Sequence, residues 1–269
     1  MKVRVITAIA GIIAVLALVM AGGWFLTGAV WIVSLIALSE YDKMLRNISV
    51  HIYMKSAAAA LSLIVLASGF YSLKIFVSMS LLLSCLLLFL ILFIKKEKIH
   101  NLIYTVFGVM YFGFGFGTLS LLRGSKTILS ADGLNMDPGI FFILLALICT
   151  WASDSFAYLV GRKFGKRKMA PHISPNKTVE GLIGGVAGCI ILGTVISVAF
   201  NYNLFYGVLL SSMTALMSPV GDLFESYVKR ACDIKDSGNI LPGHGGMMDR
   251  FDSLLFVAPS LYAILILLY

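Results

Sequence analysis

Between Ser226 and Ser253 the chain reads SYVKRACDIKDSGNILPGHGGMMDRFDS, a polar, glycine-punctuated island between two apolar stretches. Lys229, Arg230, Asp233, Lys235, Asp236, His244, Asp249, Arg250 and Asp252 crowd into it, although only 13% of all residues are charged. Gly243, Gly245 and Gly246 let backbone N–H groups approach a phosphate closely. Asp249 and Asp252 stand three apart at the start of the last apolar segment, where acids also favour a helix dipole. With Asp222 they make a hard oxygen donor set suited to Mg²⁺, which takes few carboxylates and keeps phosphate and water among its ligands. Lys229, Lys235, His244 and Arg250 put positive charge beside it.

Three further groups point the same way. Asp222, Glu225, Ser226 and Lys229 recur at i, i+3, i+4 and i+7, which places them on one face of a helix continuing the apolar segment before them. Asp154 lies inside another apolar segment, roughly 9 Å from its polar end at the helical rise. A carboxylate at that depth must face the bundle interior and find a partner. It shares a helix face with Tyr158 and Arg162. The loop GRKFGKRKMAPHISPNKTVEG follows, with Arg162, Lys163, Lys166, Arg167 and Lys168 as topology-setting charges or as an anion-attracting patch. Ser174 and Pro175 fit an N-cap serine with proline at the first helical position. Lys177 and Thr178 then occupy a first turn suited to anions. Glu180 is either a ligand partner or a favourable first-turn acid.

These residues must be positioned by membrane helices. Of 269 residues 59% are hydrophobic, and mean hydropathy is +0.96. Apolar runs of about 20 residues, enough to cross a bilayer, recur over 5–22, 24–40, 56–73, 75–94, 101–122, 138–160, 180–200, 203–223 and 251–269. Only helices satisfy their own backbone in lipid at this length. The fold class is therefore all-α: a polytopic integral membrane bundle of about nine transmembrane helices. The first run is read as an anchor, since it is long and lacks a clear small-residue cleavage site. Glycines 108, 113, 115 and 117 in the fifth run allow close helix packing.

Lysine and arginine placement sets the orientation. Eighteen of the 21 fall on the side of the N-terminus and of loops 161–180 and 224–250, leaving Lys74, Arg123 and Lys126 opposite. The N-terminus is expected in the cytoplasm and the C-terminus outside, with both long polar loops cytoplasmic. Residues 1–122 read as packing scaffold, 123–137 as an external loop and 138–269 as the catalytic region. The net charge of +8 is explained by anionic headgroups on the cytoplasmic leaflet, without nucleic acid. Cys85, Cys149, Cys189 and Cys232 form no C-x-x-C pair, so neither disulfide nor zinc is indicated; each reads as a small buried hydrophobe.

The parts imply phosphate chemistry at a membrane surface, with a divalent cation and fixed cations stabilising phosphoryl or nucleotidyl transfer. Neither a Walker loop nor a dinucleotide-binding glycine motif is present. A transporter with Asp154 and Asp222 lining a pathway would show inverted repeats, but the two halves differ too much in polarity.

The run Ser226, Lys229, Arg230, Lys235, Asp236, Gly238, Leu241, Pro242, His244, Gly245, Gly246, Asp249, Arg250 and Asp252 closely resembles the motif of the phosphatidate cytidylyltransferase (CDP-diacylglycerol synthase) family. SPNKTVEG, Ser174 to Gly181, is similar to a second family signature, and Asp154 with Gly161–Arg162 to a third. The resemblance covers about 150–253. It implies a Mg²⁺-dependent reaction of CTP with phosphatidic acid to give CDP-diacylglycerol and pyrophosphate, at the inner (plasma) membrane and facing the cytoplasm. By that analogy Asp222, Asp249 and Asp252 hold metal, with a second cation allowed for. Lys177, Lys229, Arg250 and the loop His244–Gly246 contact phosphates. Asp222, Lys229, His244, Asp249 and Arg250 are the catalytic set. Asp154, Arg162, Ser174, Lys177, Thr178, Glu180, Ser226, Lys235, Gly245 and Gly246 bind substrate. A homodimer is left open. The nearest alternatives are a CTP-dependent polyprenol kinase and a cytidylyltransferase for another lipid.

Overall fold

The computed structural model describes residues 2–93, 99–125, 134–240 and 245–268. His244, with Leu241, Pro242 and Gly243, lies outside them, as do Lys95, Lys96, Lys98, Lys126 and Asp132. The helices are α1 (Lys2–Ala21), α2 (Gly23–Leu45), α3 (Met54–Ser68), α4 (Leu73–Phe89), α5 (Ile99–Arg123), α6 (Pro138–Phe164), α7 (Val179–Ala199), α8 (Leu204–Ala231), α9 (Met248–Phe251) and α10 (Leu254–Leu267). Among the described residues one antiparallel ribbon, β1 (Lys168–Ala170) with β2 (Ser174–Thr178), interrupts the all-α plan between α6 and α7.

Among the described residues, six helical stretches are long and apolar enough to cross a membrane: Gly23–Ile48, Ile99–Arg123, Pro138–Phe164, Val179–Ala199, Leu204–Ala231 and Met248–Leu267. Ile9–Ala21, Met54–Ser68 and Leu73–Phe89 are apolar but shorter. The chain is a multi-pass membrane protein. Hydroxyls inside its apolar helices turn back on their own backbone, as lipid demands. Ser80 donates to the Phe76 carbonyl (2.7 Å) and Thr118 to that of Phe114 (2.7 Å).

The chain divides into two compact units, Met1–Gly124 with Lys229–Phe251, and Ser125–Val228 with Asp252–Tyr269. The polar segment Lys229–Phe251 thus clusters with the N-terminal helices, not with the remainder of 138–269. In the first unit α5 packs on α2, α3 and α4. Glycine makes this fit possible, because a Cβ on Gly108 would come within 2.8 Å of the Tyr41 ring and one on Gly117 within 2.5 Å of Phe76. In the second unit α6 lies along α7. Gly181, Gly184, Gly185 and Gly188 form a stripe on α7 whose Cβ atoms would strike Ala157, Val160, Ser153 and Phe156 of α6. Asp137 caps α6, its Oδ1 accepting from the Ile140 N–H at 3.1 Å, with Pro138 at the first helical position.

Cys149, Cys189 and Cys232 are buried, as expected, but Cys85 on α4 is exposed. Leu81, Leu82, Leu86 and Leu88 are exposed on the same helix, so this apolar thiol sits on an outward apolar face. Burial, then the charge of Asp233, pushes the Cys232 thiol up from its ordinary value, which keeps it protonated.

Candidate active site

The second unit holds a cavity of about 520 Å³ walled by five elements, with Met169 coming from β1. α6 supplies Ser153, Asp154, Tyr158 and Arg162; β2 supplies Ser174, Asn176, Lys177 and Thr178; Pro219 and Asp222 come from α8, and Gly181 and Leu182 from α7. Asp154, Arg162, Ser174, Lys177, Thr178 and Asp222, assigned from sequence to substrate and catalysis, therefore border one space. Asp154 is exposed to it despite its position in an apolar helix, which is how a membrane carboxylate escapes lipid. The Arg162 Nη1 donates to the Tyr158 hydroxyl at 3.4 Å. Lys177 Nζ forms an ion pair with Asp222 Oδ2. The Ser226 hydroxyl donates to Asp222 Oδ1 at 3.4 Å. The cavity is bipolar: an incoming anion can replace Asp222 at the lysine, and an incoming cation can replace the lysine at Asp222.

The local structure around Lys177 differs from the expected helix start. Ser174–Thr178 is a strand, Lys168 pairing with Thr178 and Ala170 with Ser174, and the N-cap is Thr178. Its Oγ1 accepts from the Gly181 N–H at 3.1 Å. Pairing outcompetes an early helix start because Pro175 lacks an N–H and a two-stranded ribbon has an outer edge that does not need one. Lys177 thus projects from a strand, one residue before the cap. Glu180 stands in the first turn of α7, and its carboxylate accepts the backbone N–H groups of Lys166 (2.9 Å) and Arg167 (3.2 Å). It ties the basic loop to the first turn of α7 and does not line the cavity.

The first unit holds the second cluster. Asp249 Oδ1 accepts from Lys229 Nζ at 2.6 Å. Its Oδ2 accepts from the N–H and the hydroxyl of Ser237 and from the N–H of Gly246, each at 2.9 Å. Sequence reasoning missed the residue beneath this network, Glu40 of α2. Glu40 is 1% exposed. It accepts from the Met247 N–H at 2.9 Å, the Met248 N–H at 2.8 Å and the Ser237 hydroxyl at 3.3 Å. An acid closing an otherwise apolar run was the available signal. Gly245 adopts φ +83°. Lys235 and Arg250 are exposed.

Two of the three carboxylates expected to hold metal, Asp222 and Asp252, belong to the second unit, and Asp249 to the first. Among the described residues no three His, Cys, Asp or Glu side chains gather where an ion could sit. The donor chemistry separates them. The Asp222 side chain is 29% exposed and ion-paired with Lys177, and its hard oxygens suit Mg²⁺. Asp252 Oδ1 accepts from the Ser253 N–H at 2.6 Å. Asp249 accepts from four donors, which occupy the lone-pair directions of a carboxylate; it takes a metal only by releasing one, and Lys229 is the one that carries charge.

The sequence profile of the cytidylyltransferase family matches residues 2–268. A phosphatidate cytidylyltransferase of Staphylococcus haemolyticus is 36% identical over 274 residues, 99% of each chain. One of Staphylococcus aureus is 35% identical over 276 residues, again 99% of each. One of Bacillus subtilis is 48% identical over 136 residues, 49% of this chain and 51% of that protein.

Proposed function

The chain belongs to the cytidylyltransferase family, and from that premise we propose that it transfers CMP from CTP to phosphatidate, forming CDP-diacylglycerol and releasing pyrophosphate. One observation carries this reading: relatives that match it from end to end bear a single activity, phosphatidate cytidylyltransferase. The bipolar cavity supports it, because the reaction joins two polyanions.

A phosphatidate oxygen forms a bond to the α-phosphorus of CTP as the bond from that phosphorus to the bridging oxygen of the β-phosphate breaks. The nucleophile is already ionised near neutral pH, so the protein needs no strong base. Its work is alignment and neutralisation of charge. Lys177 and Arg162 offset the charge of phosphates in the cavity, Asp154 and Ser174 orient polar groups there, and Asp222 is the acid that faces a cation. Lys229, Gly245, Gly246, Lys235 and Arg250 are assigned to phosphates on the loop that Asp249 organises, together with His244. The carboxylates of Asp222, Asp249 and Asp252 are the candidates to hold Mg²⁺, which when bound would neutralise triphosphate charge.

We place nine helices across the plasma membrane, the N-terminus and both polar loops in the cytoplasm. The support is the skew of lysine and arginine to one side, with six long apolar helices and three shorter ones on the nine apolar runs.

The test is label transfer with purified protein, phosphatidate, Mg²⁺ and CTP carrying α- or γ-³²P. The α label should appear in lipid and the γ label in pyrophosphate. A γ-labelled lipid would instead identify a kinase, and no lipid label from either would sink the proposal.

A further inference from the structure

We infer that Glu40 is a positioning residue for the transfer reaction, acting through the loop that carries Gly245, Gly246 and Asp249; this rests on the function proposed above. Glu40 lies 197 residues before Ser237 and 208 before Met248 in the chain. Nevertheless both carboxylate oxygens are committed to that loop. Oε1 accepts from the Met247 N–H, and Oε2 from the Met248 N–H and the Ser237 hydroxyl. The same hydroxyl lies 2.9 Å from Asp249 Oδ2, so one O–H bridges two carboxylates and can donate to only one at a time.

The loop is also shaped around this side chain. A Cβ on Gly238 would come within 2.5 Å of Glu40 Oε1, and one on Gly246 within 2.8 Å of both carboxylate oxygens and 2.1 Å of the Ser237 hydroxyl. Backbone at both positions closes on Glu40 as only glycine allows. Gly246 therefore has a task apart from any phosphate: it lets the loop descend onto Glu40 while its N–H holds Asp249. A buried carboxylate that holds two backbone N–H groups and shares the Ser237 hydroxyl with Asp249 fixes the Met247–Met248 backbone, and through Ser237 and the adjoining Gly246 it fixes where Asp249 points. Orientation on the scale of 1 Å is what a transfer reaction without strong acid–base catalysis depends on.

Glu40→Gln is the decisive substitution, since the amide keeps the shape but turns one acceptor into a donor facing an N–H. In the full-length protein in detergent micelles, kcat for α-label transfer should fall about 10- to 100-fold, with KM for CTP and for phosphatidate within about threefold. Amide exchange in the peptide 245–251 should quicken by about tenfold or more, while peptides from α5 and α6 keep wild-type protection. Glu40→Asp, which keeps two acceptors on a shorter stem, should recover part of kcat. Three results would overturn the inference: kcat within twofold of wild type; a loss of kcat with unchanged exchange in 245–251; or a loss accompanied by faster exchange throughout the helices. Should Glu40→Gln fail to fold, Ser237→Ala takes its place. It should lower kcat by about three- to tenfold and quicken exchange in the same peptide, and an unaltered kcat would overturn the inference. A wild-type protein that makes no CDP-diacylglycerol would defeat the proposed function instead, and the exchange comparison would still decide whether Glu40 holds the loop.

Discussion

Lys229 Nζ lies 2.6 Å from Asp249 Oδ1, and the two side chains are only 12% and 7% exposed. The lysine comes from the last turns of α8 and the aspartate from α9, so a single ion pair pins both ends of the intervening glycine-rich loop. Two charges this far from water are held by each other and by the Ser237 and Gly246 donors, and neither tolerates loss of its partner.

Lys229→Met should therefore destabilise the first unit by about 3 kcal/mol, because it strands a buried carboxylate. Adding Asp249→Asn to it should return much of that stability without returning activity. Thermal unfolding in detergent, followed beside the transfer assay, separates the two. A double variant no more stable than Lys229→Met alone would show that the pair does not carry this energy.

At Asp222 the expectation concerns cation demand. Asp222→Asn removes a full negative charge from the cavity that Lys177 shares, and half-activation should require about tenfold more Mg²⁺, with kcat lowered by on the order of a hundredfold. Titrating Mg²⁺ in the α-label assay measures both, and chelation should silence the wild type reversibly. An activation curve that does not move would remove Asp222 from the metal site.

What was legible in the sequence was whatever depends on local pattern. Long apolar runs specify helices in lipid whatever their neighbours do, and each run carries one. Asp154, Arg162, Lys177 and Asp222, which border the cavity, stood out in the sequence because charge inside or beside an apolar run is costly enough to demand a reason, whereas Asn176 and Pro219, which border it too, carry no such signal. Glu40 carried the same signal of charge at the end of its apolar run, but its partners are backbone N–H groups 207 and 208 residues away, and no local spacing connects it to them. The start of α7 was misplaced because Ser174–Pro175 is a genuine local helix-start signal. It lost to a ribbon whose other strand, Lys168–Ala170, lies on the far side of a turn. Asp249 was recognised as important, but its saturation by four donors was not readable from its position.

Close packing between α6 and α7 gives a prediction whose sign is diagnostic. In an ordinary helix Gly→Ala stabilises by about 1 kcal/mol. At Gly181 the new methyl would come within 2.8 Å of the Ala157 carbonyl and 3.2 Å of Gly161 Cα. It must push the helices apart, at a cost of about 1–3 kcal/mol. Gly28 of α2 has nothing within 4 Å of such a methyl, so Gly28→Ala should be neutral or mildly stabilising. Melting temperatures that rank the two variants the other way would contradict the glycine-mediated contact.

The cap of α7 separates two neighbouring hydroxyls. Thr178 Oγ1 accepts the Gly181 N–H, whereas Ser174 sits four residues earlier on the ribbon, beside the cavity. Thr178→Ala should cost about 1 kcal/mol of stability, and Thr178→Ser should restore it, because the serine hydroxyl can accept the same N–H. Ser174→Ala should leave the melting temperature within a degree or two of wild type, since no helix terminus depends on it. Because Ser174 borders the cavity, its variant should at the same time raise KM in the transfer assay. A stability loss at Ser174 equal to that at Thr178 would restore the helix start to Ser174 and take Lys177 off the strand, and with it the present geometry of the Lys177–Asp222 pair.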